Sequence, residues 1–275
     1  MWKAIDHLIK KSLLVFKLVW IERMIYRANF YLEILSSILA SLIVVFLWLA
    51  VYRNSTRALI GGYSIAEMVT YLLGGALISG FIATTAWSAE TSQSIRDGSL
   101  SNMLSIPISP YMVWFVRDIG NKAFLLFLCS IGYLLVFFCF KSYLVPPVSF
   151  KHFLLVLLSI VMGSLLQFSL FQAVGLLAFW VENTAGIRFT MRVLMEVAGG
   201  AIIPLSFFPQ LLNKLFLLFP FHFLIYLPMR TYLGKLTLDQ VLVELAKESL
   251  WVVGLVALNL TLWKKGLRQY VSMGD

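Results

Sequence analysis

Residues 29–52 read NFYLEILSSILASLIVVFLWLAVY, a run of 24 residues in which Glu33 is the one charged side chain. A bilayer core about 30 Å thick is crossed by an α-helix of roughly 20 mostly apolar residues. Because lipid offers the backbone no hydrogen-bond partners, a helix is the expected form of this run. Runs of similar character recur along the chain and predict six passages, at residues 29–52, 65–89, 120–141, 152–181, 189–206 and 240–263.

The composition supports an all-α integral membrane protein forming a single transmembrane domain over residues 1–275. Of the 275 residues, 60% are hydrophobic and 13% are charged, whereas soluble domains typically have about 45–50% and about 25%. The formal net charge of +9 comes from basic residues that lie between apolar runs. Since nucleic-acid binding needs such residues gathered on a hydrophilic face, no nucleic-acid partner is expected.

The distribution of Lys and Arg predicts the orientation of the chain. With six passages both termini lie on one side, which carries 14 of the 22 Lys and Arg residues and leaves 8 on the other. Basic residues are enriched in cytoplasmic loops. Both termini are therefore expected in the cytoplasm.

Residues 1–24 predict an amphipathic helix that lies along the inner membrane surface in contact with lipid. At 100° per residue the polar side chains fall on one face and the aromatic ones on the other. The polar face has Lys3, Asp6, His7, Lys10, Lys11 and Lys17, and the opposite face has Trp2, Ile5, Ile9, Phe16 and Trp20. A poorly formed first passage is the alternative, but these charges would be costly at the centre of a membrane.

A polar region at residues 90–119 separates the second and third passages, and its residues 96–109 read RDGSLSNMLSIPIS. Ser99 is placed to cap a short helix whose Leu100 and Leu104 share one face, and Pro107 is expected to end that helix. The residues alone leave two interpretations open. The helix is either an ordinary cytoplasmic connection or a docking element for a soluble partner.

A second unusual stretch follows the fifth passage, where residues 199–209 read GGAIIPLSFFP. The two prolines predict that the helix breaks and that residues 204–235 return as a re-entrant outer hairpin. Irregular backbone at membrane depth is tolerated only when it is buried in protein or faces a wet cavity. The hairpin is rich in aromatic residues, which fit either an interfacial belt or an outer hydrophobic gate.

Some candidate residues lie within the passages themselves. Glu196 is the acid expected deepest in a passage, and an intramembrane carboxylate suggests function by default, although pairing with Arg192 is the simpler explanation. Small residues also line the second passage at spacings of four, which permits close helix packing. The two ladders are Gly75, Ser79 and Ala83, and Ala76, Gly80 and Thr84.

Several catalytic and metal-binding motifs are missing from the sequence. The stretch from Gly75 to Gly80 lacks the Lys and Ser or Thr of a phosphate-binding loop, so no ATP site is expected in this chain. The three histidines are far apart and lack carboxylate or Cys neighbours at ligand spacing, so no metal site is expected. No catalytic residues are predicted, and a lipid-modifying enzyme is disfavoured because the paired acids and His that it needs are absent.

The two motifs together resemble those of type-2 exporter permeases of the ATP-binding-cassette class. The 96–109 segment is similar to that family's Arg-x-Gly-Thr-Leu-Glu-x-Leu-Leu-x-x-Pro-Val-Ser pattern, with Ser99 for Thr and Ser101 for Glu. Residues 199–209 are similar to its Gly-x-x-x-Pro-Leu-x-x-Phe-Pro pattern. Within that class the chain looks closest to the small permeases of bacterial two-permease systems.

The resemblance implies a multi-pass bacterial inner-membrane permease that forms half of an export pathway. It implies a separate ATPase subunit, in two copies, that binds ATP and Mg²⁺, and a second permease chain, identical or paralogous. The residues that would contact the ATPase are Arg96, Gly98, Ser99, Leu100, Leu104 and Pro107. The pathway or gate candidates are Ser79, Gly80, Thr84, Glu196, Gly199, Gly200, Pro204, Phe207, Phe208 and Pro209. The alternative function is an ion-gradient-driven transporter with Glu196 as the coupling carboxylate, although no internal repeat supports it.

Overall fold

The structure is a computed structural model that describes residues 2–25, 27–82 and 86–270. Within these ranges every named secondary-structure element is helical. The α-helices are α1 (Trp2–Ile25), α2 (Arg27–Arg53), α3 (Ile65–Ile82), α4 (Ala86–Arg96), α5 (Leu100–Leu104), α6 (Pro110–Cys139), α7 (Phe150–Leu176), α8 (Ala185–Ala198), α9 (Gln210–Leu218), α10 (Tyr226–Tyr232) and α11 (Leu238–Gln269). The prediction of an all-α protein is therefore confirmed for the described chain.

Within the described residues, three helical stretches are long and apolar enough to cross a membrane, at Leu35–Arg53, Ile65–Ile82 and Phe150–Phe179. A fourth is possible if the two parts of α6, which meet at an angle of 42°, form one passage. The length and composition of these helices indicate an integral membrane protein, while the number of six passages stays a prediction. With 14 residues, α8 spans about 21 Å at 1.5 Å per residue, which is shorter than a bilayer core.

The bounds of the helices differ most from the predicted passages at three places. α6 already begins at Pro110, so residues 110–119 are its first turns rather than part of a loop. α3 ends at Ile82, and the candidate Thr84 lies outside the described residues. α8 ends at Ala198, well before the predicted residue 206. Its end follows from Gly200, whose φ of +78° is a left-handed conformation that terminates a helix.

α7 is the central helix of the bundle and packs against α11, α4 and α10. Its buried Leu166 belongs to a large apolar core that also includes Leu73 of α3 and Phe223 and Leu224 of the hairpin. Each of these side chains is at most 1% exposed. Burying a large apolar side chain contributes about 1.5–3 kcal/mol, so this core ties the hairpin firmly to α3 and α7.

The 204–235 hairpin consists of short helices separated by turns. Its first part lies against the end of α2, because the Phe207 ring packs on Trp48 at 5.1 Å between ring centroids. Its later part returns to the end of α8, since the amide of Tyr226 donates to the carbonyl oxygen of Gly199 at 3.0 Å. The helix is thus broken, but it ends at Gly199 and Gly200 rather than at the predicted prolines. A re-entrant path of the hairpin through the membrane stays a prediction.

The first helix packs along α6. Phe16 and Val19 lie within van der Waals reach of Gly120, and the Trp20 ring meets Phe124 edge-on at a centroid distance of 5.3 Å. The aromatic side chains predicted to face lipid are therefore directed at α6 at these two positions. The polar face expected around Lys10 and Lys17 is exposed.

Candidate functional site

The 96–109 segment forms a short helix on a tight turn at the end of α4. Gly98 has a φ of +79°, a left-handed conformation that is easiest for glycine. The amide of Ser99 donates to Asp97 Oδ1 at 2.9 Å, and hydrogen bonds from Ser99 lower the pKa of the Asp97 carboxyl. The predicted cap by the Ser99 side chain is wrong, because its hydroxyl accepts no hydrogen bond from the helix. Asp97 stabilises this turn instead.

One face of α5 is buried within the chain itself. Leu100 has no exposed surface and lies in a small cluster of apolar side chains. The other buried members of the cluster are Ile95, Trp114, Leu176 and Ala178. Leu100 thus joins α5 to α4, α6 and the end of α7. Its side chain is not available to a partner in this conformation.

The C-terminal part of the 96–109 segment, from Leu104 onward, is exposed and partly apolar. Leu104 is 43% exposed and Ile106 is 55% exposed, and Pro107 beside them is exposed as well. The backbone carbonyl oxygen of Pro107 accepts a hydrogen bond of 3.3 Å from Lys11 Nζ of α1. Leu104 and Pro107 are therefore placed where a soluble partner could reach them. Leu100, which was predicted to contact the same partner, is not.

The last described residue fixes the other end of α5. The Tyr270 hydroxyl donates to the Gly98 carbonyl oxygen at 2.8 Å and lies 3.2 Å from Ser101 Oγ. The Tyr270 ring packs edge-on against Phe179. The sequence does not predict this contact, because Tyr270 follows the predicted last passage. An aromatic residue just after a helix that ends near the polar region is the one signal that could have suggested it.

Arg96 lies at the junction of α4 with a neighbouring loop. Its Nη1 donates to the carbonyl oxygen of Glu182 at 2.8 Å, and its Nε donates to the Ser92 carbonyl oxygen at 3.2 Å. Burial lowers the pKa of the Arg188 guanidinium, and the nearby positive charges of Arg96 and Arg192 lower it further. Positive charge is therefore concentrated beside the 96–109 segment.

An ion-pair network connects the helices around this segment. Arg117 of α6 binds Glu90 of α4 at 2.7 Å and Glu22 of α1 at 3.0 Å. Burial raises the pKa of the Glu90 carboxyl, and Arg117 opposes that shift. One turn further along α6, Lys122 Nζ lies 2.6 Å from Asp118, and both side chains are 2% exposed. These contacts join the first helix to the helices that carry α5.

The candidate pathway residues that the structure describes, which exclude Thr84, are distributed over α3, α8 and the hairpin. Ser79 and Gly80 are half-buried on α3, and Glu196 is exposed on α8. Gly199 and Gly200 are buried at the end of α8, where the Gly200 carbonyl oxygen accepts a hydrogen bond from the Tyr71 hydroxyl at 2.7 Å.

The proline and phenylalanine candidates belong to the first part of the hairpin. Phe207 packs near the Tyr63 ring, and Phe208 meets Phe216 edge-on at 5.2 Å. Pro204 and Pro209 stand directly before two of its short helical elements, of which the second is α9. Phe207 is therefore part of the packing that holds the hairpin closed over the end of α2.

Among the acids whose burial the structure describes, Glu248 rather than Glu196 is the most buried. Its side chain lies between α7 and α11, where Ser159 Oγ donates to its Oε2 at 3.4 Å and its other carboxylate oxygen has no partner in the described structure. Glu248 is not among the residues predicted from the sequence. Its position in the last predicted passage, four residues after Glu244, is the feature of the sequence that could have identified it as a buried acid.

The sequence matches the family model for the ABC-2 family transporter protein over residues 38–274. This chain belongs to the ABC-2 transporter family. The match covers α3 to α11 and most of α2, so it includes both motifs and the whole site around α5. An ABC-2 permease is a transmembrane component of an ABC transporter and is not its catalytic subunit. No curated protein matches this permease in sequence.

Proposed function

We propose that this ABC-2 permease forms half of the translocation pathway of an exporter and is driven by a separate ATPase subunit that contacts the 96–109 segment. The observation that carries the proposal is the difference in exposure between the start and the end of this segment. Leu100 is buried in the chain's own core, while Leu104 and Ile106 present an exposed apolar edge. A small apolar edge of this kind, on a rigidly held element, suits a contact with another protein.

The contacts around α5 give a physical route for coupling. A push on the exposed edge would pass through Leu100 to Trp114 of α6 and through Gly98 to Tyr270 at the end of α11. Arg117 would pass the same displacement to α1 and α4 through its two carboxylate partners. Because packed elements move as units rather than deforming locally, α5 would act on whole helices.

The partner subunits follow from the same proposal. Two ATPase copies would bind ATP and Mg²⁺, while this chain binds neither. A second permease, identical or paralogous, would complete the pathway in the bacterial inner membrane, with both termini of this chain in the cytoplasm. The large exposed side chains of α8, such as Phe189 and Leu194, support a role for this helix beside another chain or lipid. Glu196, exposed on the same helix, is the residue on which an ion-driven mechanism would depend.

The test is co-purification of the tagged chain with its ATPase, followed by measurement of ATP hydrolysis. Leu104→Glu and Ile106→Glu are expected to reduce the recovered ATPase subunit at least tenfold, because each places a charge in an apolar contact. Leu59→Glu is the matched control, since Leu59 is an exposed leucine in the loop between α2 and α3.

Unchanged recovery of the ATPase with both variants would reject the proposed contact. If no ATPase co-purifies with the wild-type chain and transport follows a proton or sodium gradient, the ion-driven function with Glu196 replaces the exporter. Substrate transport that requires ATP in vesicles containing the intact complex would support the exporter.

A further inference from the structure

A cavity of about 160 Å³ lies between the hairpin and the first turns of α11, far along the chain from the 96–109 segment. Its walls include five ionisable side chains beside apolar ones. The lining residues are Leu217, His222, Tyr226, Leu227, Arg230, Leu236, Glu244 and Lys247. Cavities of about 150 Å³ hold molecules as large as benzene, so this space accepts a group of several heavy atoms.

The cavity is lined by more positive than negative side chains. Glu244 is already bound, with its carboxylate oxygens 2.7 Å from Lys247 Nζ and 3.6 Å from His222 Nε2. Arg230 lies over the Tyr226 ring, 5.2 Å from its centroid. Among the described residues no carboxylate lies within salt-bridge distance of Arg230. The cavity therefore has one cation more than it has anions.

This excess charge decides the sign of a ligand. Glu244 is the one carboxylate among the lining residues, and its oxygens already face Lys247 and His222. A cation entering the cavity would find Arg230 and Lys247 and would be repelled. An anion would meet a guanidinium whose planar donors match the geometry of phosphate and carboxylate oxygens.

The surroundings of the cavity indicate where the anion comes from. Leu217, Leu227 and Leu236 form apolar parts of the wall. α9 contributes Leu217 to this wall and exposes both Leu217 and Leu218, large apolar side chains of the kind that lipid covers in a membrane protein. A ligand that matches both the positive charge of the cavity and these apolar side chains has an anionic headgroup and apolar chains.

We propose that this cavity binds a phosphate group, with Arg230 as its principal ligand, and that the phosphate belongs to the headgroup of a membrane lipid. The headgroup phosphate occupies the cavity, and the acyl chains lie along the exposed leucines of α9. Free phosphate shares the chemistry of the site but not the apolar contacts. This site is independent of the ATPase contact and does not rest on the exporter function.

The test is native mass spectrometry of the full-length delipidated chain titrated with dioleoyl phosphatidylglycerol, and separately with inorganic phosphate. Arg230→Gln is expected to weaken lipid binding at least about tenfold, because it removes the unmatched charge and its hydrogen bonds. Glu244→Gln is expected to strengthen binding, because it removes the one negative charge and frees Lys247. Lys214→Gln is the matched control, since Lys214 is an exposed cation of the same hairpin that does not line the cavity.

The two substitutions have opposite expected effects, and tighter binding by the Glu244→Gln chain cannot result from misfolding. Saturable lipid binding that millimolar inorganic phosphate does not displace supports the headgroup as the source. Displacement by inorganic phosphate supports the phosphate site and overturns the assignment to lipid. Equal binding by wild type and Arg230→Gln, or stronger binding by Arg230→Gln, overturns the site.

Discussion

The side-chain hydroxyl of Tyr270 donates a hydrogen bond of 2.8 Å to the backbone carbonyl oxygen of Gly98. This contact joins the end of the last helix to the turn that begins α5, although 171 residues separate them in sequence. α11 packs along α7, the central helix of the bundle. A movement of α5 is therefore passed to the core of the protein through α11 as well as through α4 and α6.

Tyr270→Phe is expected to loosen the 96–109 segment without unfolding the protein. The ring keeps its packing on Phe179 while the hydrogen bond, worth about 0.5–1.5 kcal/mol, is lost. Hydrogen exchange of the amides in residues 98–104 should become roughly two- to tenfold faster. Tyr31→Phe is the control, because Tyr31 is exposed on α2. Unchanged exchange would show that Tyr270 does not hold this turn.

Gly98→Ala is expected to destabilise the same turn through its backbone. The φ of +79° places any Cβ in the left-handed region, which costs about 1–2 kcal/mol. Gly186→Ala is the control, since Gly186 lies in α8 with open space around its Cα and Ala favours a helix. Coupled ATP hydrolysis should fall with Gly98→Ala and not with Gly186→Ala. Equal activities would contradict a requirement for this turn.

The helical part of the fold could be predicted from hydropathy, because a bilayer dictates both length and composition. The run at residues 29–52 and the long apolar runs of α3 and α7 needed no further information. The end of α8 could not be placed, since apolar residues continue through Ile203. The termination depends on Gly200, whose left-handed backbone is held by a hydrogen bond from the distant Tyr71.

The site was only partly accessible to sequence reasoning. The motif identified the 96–109 segment, but it grouped Leu100 with Leu104 on one face of a short helix. The structure separates them, because the cluster around Trp114 encloses Leu100 and stops short of Leu104. The role of Tyr270 could not be predicted from the sequence for a similar reason. Its contact with Gly98 depends on how α11 packs against α7, which no local pattern contains.

The separation of the two leucines predicts different effects of the same substitution. Leu100→Ala should lower the free energy of unfolding by about 2–5 kcal/mol, as for other fully buried leucines. Leu104→Ala should change it by no more than about 0.5 kcal/mol. Thermal unfolding in detergent measures both, and binding of the ATPase subunit should fall for Leu104→Ala in protein that is fully folded. Similar stability losses would mean that both side chains are buried.

The buried pair Asp118 and Lys122 predicts a strongly non-additive double mutant. The two charges are 2.6 Å apart, and Lys122 Nζ also lies 3.0 Å from both the carbonyl oxygen and the hydroxyl of Ser164. Removing one partner leaves an uncompensated buried charge, which costs about 3–5 kcal/mol. Asp118→Leu and Lys122→Met should each destabilise the protein, and the combined variant should recover much of the loss. Additive losses in thermal unfolding would contradict a direct interaction.

Glu248 differs from that pair because it has no cationic partner among the described residues. Its Oε2 accepts one long hydrogen bond from Ser159. Its Oε1 lies beside Gly163 of α7, where a Cβ would be only 3.5 Å away from it. A buried carboxylate in this setting is expensive to ionise, so an amide of the same shape should be tolerated. Glu248→Gln should raise the midpoint of thermal unfolding or leave it unchanged, whereas Glu248→Ala should lower it by creating a void. A large loss with Glu248→Gln would show instead that the ionised carboxylate is required, and would move the search for an ion-coupling acid from Glu196 to Glu248.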